Sequence, residues 1–148
     1  MFQTALDASY PGDTPNYILP KRTHEARVDC YLAVLKKYRA QFPRAHFEVV
    51  TRTAGSPLAP SWKLLDWAKT HEITFPQYAF LLLKELKERP EAKHRLFELR
   101  RIVKDRTVFL VCFEKNPAAC HRTIIKHVVD ELWPPLDLET LKILFPGE

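Results

Sequence analysis

Residues Val108–Leu132 read "VFLVCFEKNPAACHRTIIKHVVDEL". The run Val108–Val111 is continuously apolar rather than alternating, which predicts a strand buried on both faces of a parallel sheet. The second half recovers a helical period. At ~100° per residue, Ile124, Ile125, Val128, Val129 and Leu132 share one face. Asn116 suits an N-cap and Pro117 a first helical position, so the spacing predicts a helix opening at the turn. A buried strand, a tight turn and an amphipathic helix make the repeating unit of an α/β fold.

Working outward, the remaining segments fit the same class. "KDRT" joins the strand to a preceding helix carrying Ala92, Leu96, Leu99 and Val103, with Pro90 at its start. Before it, Phe75, Tyr78, Ala79, Leu82, Leu83 and Leu86 recur at helical spacing, with Thr74 and Gln77 placed as a capping box. Ser61 suits the N-cap of "WKLLDWAK", and "HFEVVTRT" is a second strand candidate. Thr23 is placed to cap a helix over 24–41 through Val28, Tyr31, Leu32, Leu35, Tyr38 and Phe42. "FQTALDAS" is a weaker opening strand, and a short helix over 137–145 closes the chain. The expectation is one compact α/β domain with a small, mostly parallel sheet flanked by helices.

Bulk properties narrow the function classes. The chain has 148 residues, 46% hydrophobic and 28% charged, enough for one real core. No apolar stretch approaches the ~20 residues of a bilayer span, and the N-terminus lacks a basic, apolar leader. Three cysteines, Cys30, Cys112 and Cys120, are too few and too odd for a disulfide scaffold, so cytoplasmic residence is expected. The net charge of +5 is concentrated in Lys84–Arg106. Such a face attracts phosphates, and interspersed with acids it also serves only as a solvated surface.

The chemistry gathers at the turn. Cys112 and Glu114 lie two apart, on one face, at the carboxyl end of the strand, where open α/β sheets place ligands. His121 falls at the N-terminal end of the helix's apolar face and points toward them. Arg122 falls near the opposite margin, within reach of the helix mouth. A cysteine in a helix's first turn has its thiolate stabilised by unpaired N–H groups.

Four arrangements meet these residues. Cys112 or Cys120 is an activated nucleophile, with His121 as acid–base, Glu114 as orienting carboxylate and Arg122 as anion clamp. Cys112, Cys120 and His121, with Glu114, hold zinc, although C-x7-C-H is no standard zinc spacing. The groups bind an anion without covalent chemistry. Or all are packing residues, an expensive use of two thiols, a carboxylate, an imidazole and a guanidinium. Arg52 ends the "HFEVVTRT" strand as Glu114 ends its own, and approaches the same rim if the strands are parallel neighbours.

These residues resemble the DUF488 domain family. "CFEKNPAACHR" is similar to the family's C-x-E-K-x-P-x-x-C-H-R segment. "LAPSWKLLDWAKTHEITFPQY" resembles its L-A-P-S helix and the I-T-x-x-x-Y helix that follows, and "VVTRT" the strand before them. The resemblance implies a compact α/β fold and that Cys112, Glu114, Cys120, His121 and Arg122 act together, with Arg52 and Ser61 carried over more weakly. It names no reaction. The expectation is an anion-accepting thiol pocket for a phosphorylated or nucleotide-like small molecule. A nucleic-acid-binding module using the Lys84–Arg106 face and a zinc-stabilised structural domain are the alternatives.

Overall fold

The computed structural model describes residues 24–147. The expected strand "FQTALDAS" and the cap at Thr23 lie outside them. Three short parallel strands form the sheet: β1 (Ala26–Arg27), β2 (His46–Val49) and β3 (Val108–Val111), in the order β1-β3-β2. Val108 pairs with Ala26 on one side and His46 on the other, so the last strand in sequence is the central one.

That position explains the unbroken apolar run. Val108, Phe109, Leu110 and Val111 are all fully buried, and alternate residues face opposite layers. Phe109 and Val111 pack with Cys30 beneath α1 (Leu35–Gln41). There the Phe109 ring stacks on Phe47 at 4.9 Å, meets Tyr38 edge-on at 5.5 Å and lies under the Arg27 guanidinium at 4.8 Å. Val108 and Leu110 face the larger core. It is built by α3 (Phe75–Glu88), α4 (Pro90–Ile102) and α5 (His121–Asp130), with α2 (Trp62–Lys69) and α6 (Leu138–Leu144) at its edges. Cys112, one step beyond β3, continues the Val108–Leu110 side.

The helix starts follow their caps. Ser61 Oγ accepts from the Leu64 N–H, and Asp137 caps α6 through Thr140. At α3 the capping box is reciprocal: Gln77 N–H donates to Thr74 Oγ1 at 3.3 Å, and Thr74 N–H donates to Gln77 Oε1 at 2.8 Å. Thr74→Ala is expected to cost about 1 kcal/mol, or roughly 3 °C in Tm for a chain of this size, read by thermal denaturation. An unchanged midpoint would mean that packing alone fixes this helix start.

The expected helix over 24–41 is not formed as such. Only its last part is helical: a 3-10 turn at Leu32–Val34 and α1 after it. The preceding residues are extended because their backbone groups have distant partners. Ala26 N–H donates to Asp130 Oδ1 and the Ala26 carbonyl accepts from Lys126 Nζ, so two α5 side chains stand where a neighbouring strand would. Tyr31 bridges to Cys112 in parallel register, and Leu32 N–H donates to the Cys112 carbonyl at 2.9 Å. Non-local pairing overrides the local period here. Among the described residues, no helix is long and apolar enough to cross a membrane.

Candidate functional site

The turn after β3 differs from its expected form, and the difference sets the site. The helix begins at His121, with Cys120 as its N-cap in an extended conformation. Asn116 and Pro117 build the turn instead. Asn116 Oδ1 accepts from Ala118 N–H at 3.0 Å, an Asx turn, and the Pro117 carbonyl accepts from both Cys120 N–H and Thr123 Oγ1. Cap chemistry and turn chemistry use the same residue types, and here Asn116 and Pro117 serve the turn rather than the helix start.

Three expected site residues converge. Cys112 Sγ, Cys120 Sγ and a ring nitrogen of His121 lie within 4.8 Å of one another, all buried. His121 Nε2 lies 2.7 Å from the Val50 carbonyl, which can only accept, so Nε2 carries a proton. Nδ1 then faces Cys120 Sγ at 3.7 Å. The group that orients His121 is therefore a backbone carbonyl past the end of β2. Glu114 does not take that role. Its carboxylate receives the Cys112 thiol at 3.7 Å, at an exposed position on the rim.

Arg122 is placed differently from the wheel's expectation. It is fully buried. Nη1 donates to the carbonyls of Val28 and Cys30, each at 2.8 Å, Nη2 donates to the Glu114 carbonyl, and Nε donates to Cys120 Sγ at 3.3 Å. Its donors are used inside the protein. It ties the segment after β1 to the turn after β3 and sets a fixed positive charge against one sulfur.

The electrostatics separate the two thiols. Cys120 is held well below the ordinary thiol range, first by the Cys112 thiol facing it. Burial opposes this, and the His121 imidazole and Arg122 backbone N–H add to it. A helix N-terminus favours a negative charge, and the Cys120 sulfur stands at this one. Cys112 is pushed up, by the Cys120 sulfur and then by burial, and stays a thiol. Burial works against a charged His121, but the Cys120 contacts outweigh it and raise its pKa. Burial and then Cys120 raise Glu114. The Cys120 and His121 shifts both favour the charged forms, a thiolate beside an imidazolium.

Tyr78, read from the sequence only as part of an apolar helix face, is a further member. It is 4% exposed, and its hydroxyl makes no hydrogen bond among the described residues. Burial, then the charges of Cys120, Glu114 and Cys112, push its ionisation up, so it remains a neutral donor beside the thiols.

Arg52 and Ser61 are not part of the buried cluster. Arg52 is exposed two residues beyond Val50, its guanidinium 5.8 Å from the Trp62 ring centroid. Ser61 Oγ donates to Glu85 at 2.6 Å, and Arg89 bridges Glu85 to the carbonyls of Pro57 and Ala59. The L-A-P-S piece is thus a braced loop. Cys112, Cys120 and His121 are chemically a soft-metal donor set. The Arg122 guanidinium on Cys120 weakens any cation there by like-charge repulsion.

The family model DUF488-N3a, described as the active DUF488-N3 subclade, matches residues 22–132. Neither the curated proteins nor the solved structures contain a match to the chain. The matched span includes β1, β2, β3, the braced loop and every member of the cysteine cluster, well over half of the sequence, and the chain belongs to the DUF488 family.

Proposed function

We propose that the protein is a thiol enzyme in which Cys120 is the nucleophile, His121 the acid–base group and Arg52 the cation that meets an anionic substrate. One observation carries the reading. The Cys120 sulfur lies between Arg122 Nε at 3.3 Å and His121 Nδ1 at 3.7 Å, with His121 held from behind by the Val50 carbonyl at 2.7 Å. This is nucleophile, base and orienter in sequence, with a carbonyl as third member.

The chemistry follows from that order. The thiolate attacks an electrophilic centre of the substrate, an S–X bond forms and the bond to the leaving group breaks. The His121 Nδ1 proton goes to the leaving group. Neutral His121 then takes a proton from water, whose oxygen displaces the sulfur and restores the thiolate. Tyr78, whose buried hydroxyl has no hydrogen bond among the described residues, supplies one to the charge that develops. Substrates of phosphorylated or nucleotide-like type fit the exposed Arg52–Trp62 rim, where a cation lies over an aromatic face.

The Lys84–Arg106 face supports nucleic-acid binding less well. Arg89 and Arg95 are tied to Glu85, Glu48 and Glu98, Arg100 donates to the Glu131 carbonyl, and Lys87 lies 5.5 Å from the Trp133 ring.

The test is thiolate ultraviolet absorbance against pH. Wild type should keep one thiolate down to about pH 5, far below a free thiol's value of about 8.5. Cys120→Ser should remove it and Cys30→Ser leave it. Inorganic phosphate should slow iodoacetamide labelling of Cys120, and Arg52→Ala should abolish that protection. A thiolate that forms only above about pH 8 would overturn the nucleophile assignment.

A further inference from the structure

Cys112 is not used by the nucleophilic reading except as a neighbour. It is a second buried thiol whose sulfur lies within 4.8 Å of Cys120 Sγ. A disulfide needs about 2.05 Å, so closure asks the two sulfurs to approach by less than about 3 Å. The segment joining them is suited to yield. Phe113 is 61% exposed, Glu114, Lys115, Asn116, Ala118 and Ala119 are exposed, and none belongs to a helix or strand. The third thiol is excluded by position. Cys30 lies on the opposite side of the sheet, packed with Phe109 and Val111.

The two thiols are also unequal, as an attacking and a resolving thiol must be. Arg122 Nε and His121 Nδ1 face Cys120, whereas the Cys112 thiol lies against the Glu114 carboxylate and the Cys120 sulfur, with no hydrogen bond to Arg122 or His121 among the described residues. A thiolate reacts with an electrophilic oxygen, and a neighbouring thiol then captures the product.

We infer that Cys112 and Cys120 form a two-electron dithiol–disulfide couple, oxidised by a hydroperoxide and reduced by an external dithiol, that switches the Cys120 nucleophile off. The inference rests on the proposed nucleophilic role of Cys120. In the first step the Cys120 sulfur attacks a peroxide oxygen and the O–O bond breaks. For hydrogen peroxide, the departing hydroxide takes the His121 proton and leaves as water, and Cys120 is a sulfenic acid. In the second, Cys112 attacks the Cys120 sulfur, the S–O bond breaks, and the Cys112 proton leaves with the hydroxyl as water. Two thiols are oxidised to one disulfide as one peroxide is reduced to two waters. An external dithiol reverses the state by exchange. The disulfide leaves no thiolate for substrate, and it removes the anion against which Arg122 and His121 are arranged.

The experiment treats the full chain with one equivalent of hydrogen peroxide and maps the cysteines by mass spectrometry, beside the thiolate absorbance. The expected result is near-complete Cys112–Cys120 linkage with the loss of two hydrogens, reversed by dithiothreitol. Cys30 should remain free, reacting at least ~10-fold more slowly as a buried neutral thiol. In Cys112→Ser, Cys120 should stop at the sulfenic acid, trapped by dimedone. If wild type keeps its low-pH thiolate but stops at a dimedone-trapped Cys120 sulfenic acid without linkage, or is not oxidised at all, the couple is overturned and the nucleophile stands. If the thiolate is absent and peroxide has no effect, both fall. The wild-type arm decides even if Cys112→Ser folds poorly.

Discussion

Arg122→Met is expected to destabilise the protein by about 4 kcal/mol or more, and to lower Tm by roughly 10 °C. Methionine fills much of the volume and donates nothing. It leaves the carbonyls of Val28, Cys30 and Glu114 without the partner that now joins them. Each buried acceptor left open costs about 1–3 kcal/mol, partly offset because a buried guanidinium no longer has to be desolvated. Lysine does not rescue. One ammonium cannot reproduce a planar fork that reaches two carbonyls through Nη1, a third through Nη2 and a sulfur through Nε. Arg101→Met, on an exposed position of α4, is the control and should change stability by less than about 0.5 kcal/mol. Urea unfolding measures all three. An Arg122→Met protein within about 1 kcal/mol of wild type would return Arg122 to the role of an external anion clamp.

Arg122 also shows where sequence reading stops. The motif around it was legible, because a strand, a turn and an amphipathic helix each leave a local pattern. So were α2, α3 and α4, whose caps and periods lie within a few residues of the helices they define. One local signal fails, since Asn116 and Pro117 build a turn and the helix opens at His121; the other departures are non-local. Val28 and Tyr31 fit a helical period, but their segment is held extended by β3, Arg122 and two side chains of α5. The helical wheel puts Arg122 near the margin opposite the apolar face, within reach of the helix mouth, and the three carbonyls that hold it buried have no side-chain signature. The Val50 carbonyl that orients His121 is invisible for the same reason. Tyr78 was counted correctly as buried, but an unused hydroxyl is a property of its surroundings. The two-residue spacing brings Cys112 and Glu114 together, and the hydrogen bond of the carboxylate is with the thiol rather than the imidazole.

The sulfur's charge is the decisive quantity at this site, and stability against pH cannot supply it. The folded pKa of Cys120 lies below its unfolded value. Its contribution is therefore full above about pH 8.5 and is lost as pH falls toward the folded value. His121 has the opposite sign: its contribution is full below about pH 6.5 and is lost as pH rises through its raised folded value. Cys112, raised, loses its contribution above about pH 8.5. The advantage of wild type over Cys120→Ser should then rise from acid to about pH 6.5 and level above it, for as long as the falling His121 contribution offsets the rising Cys120 one. A neutral thiol–imidazole pair binds the same number of protons over the level range, so only a probe of the sulfur separates the two. Iodoacetamide labelling near pH 6 is that probe, and the order of the variants tests the causes. Cys112→Ala removes the largest influence on Cys120 and should move its midpoint furthest toward the free value. At a midpoint near 8 about 1% remains thiolate at pH 6, a loss of roughly 100-fold in labelling rate. Cys112→Ser retains a donor and should keep most of the rate, because what Cys120 needs from its neighbour is a hydrogen bond rather than a sulfur. His121→Gln should fall between them. If Cys112→Ala labels as fast as wild type while His121→Gln is silent, the imidazole alone makes the thiolate, and Cys112 is left with no part in nucleophile activation.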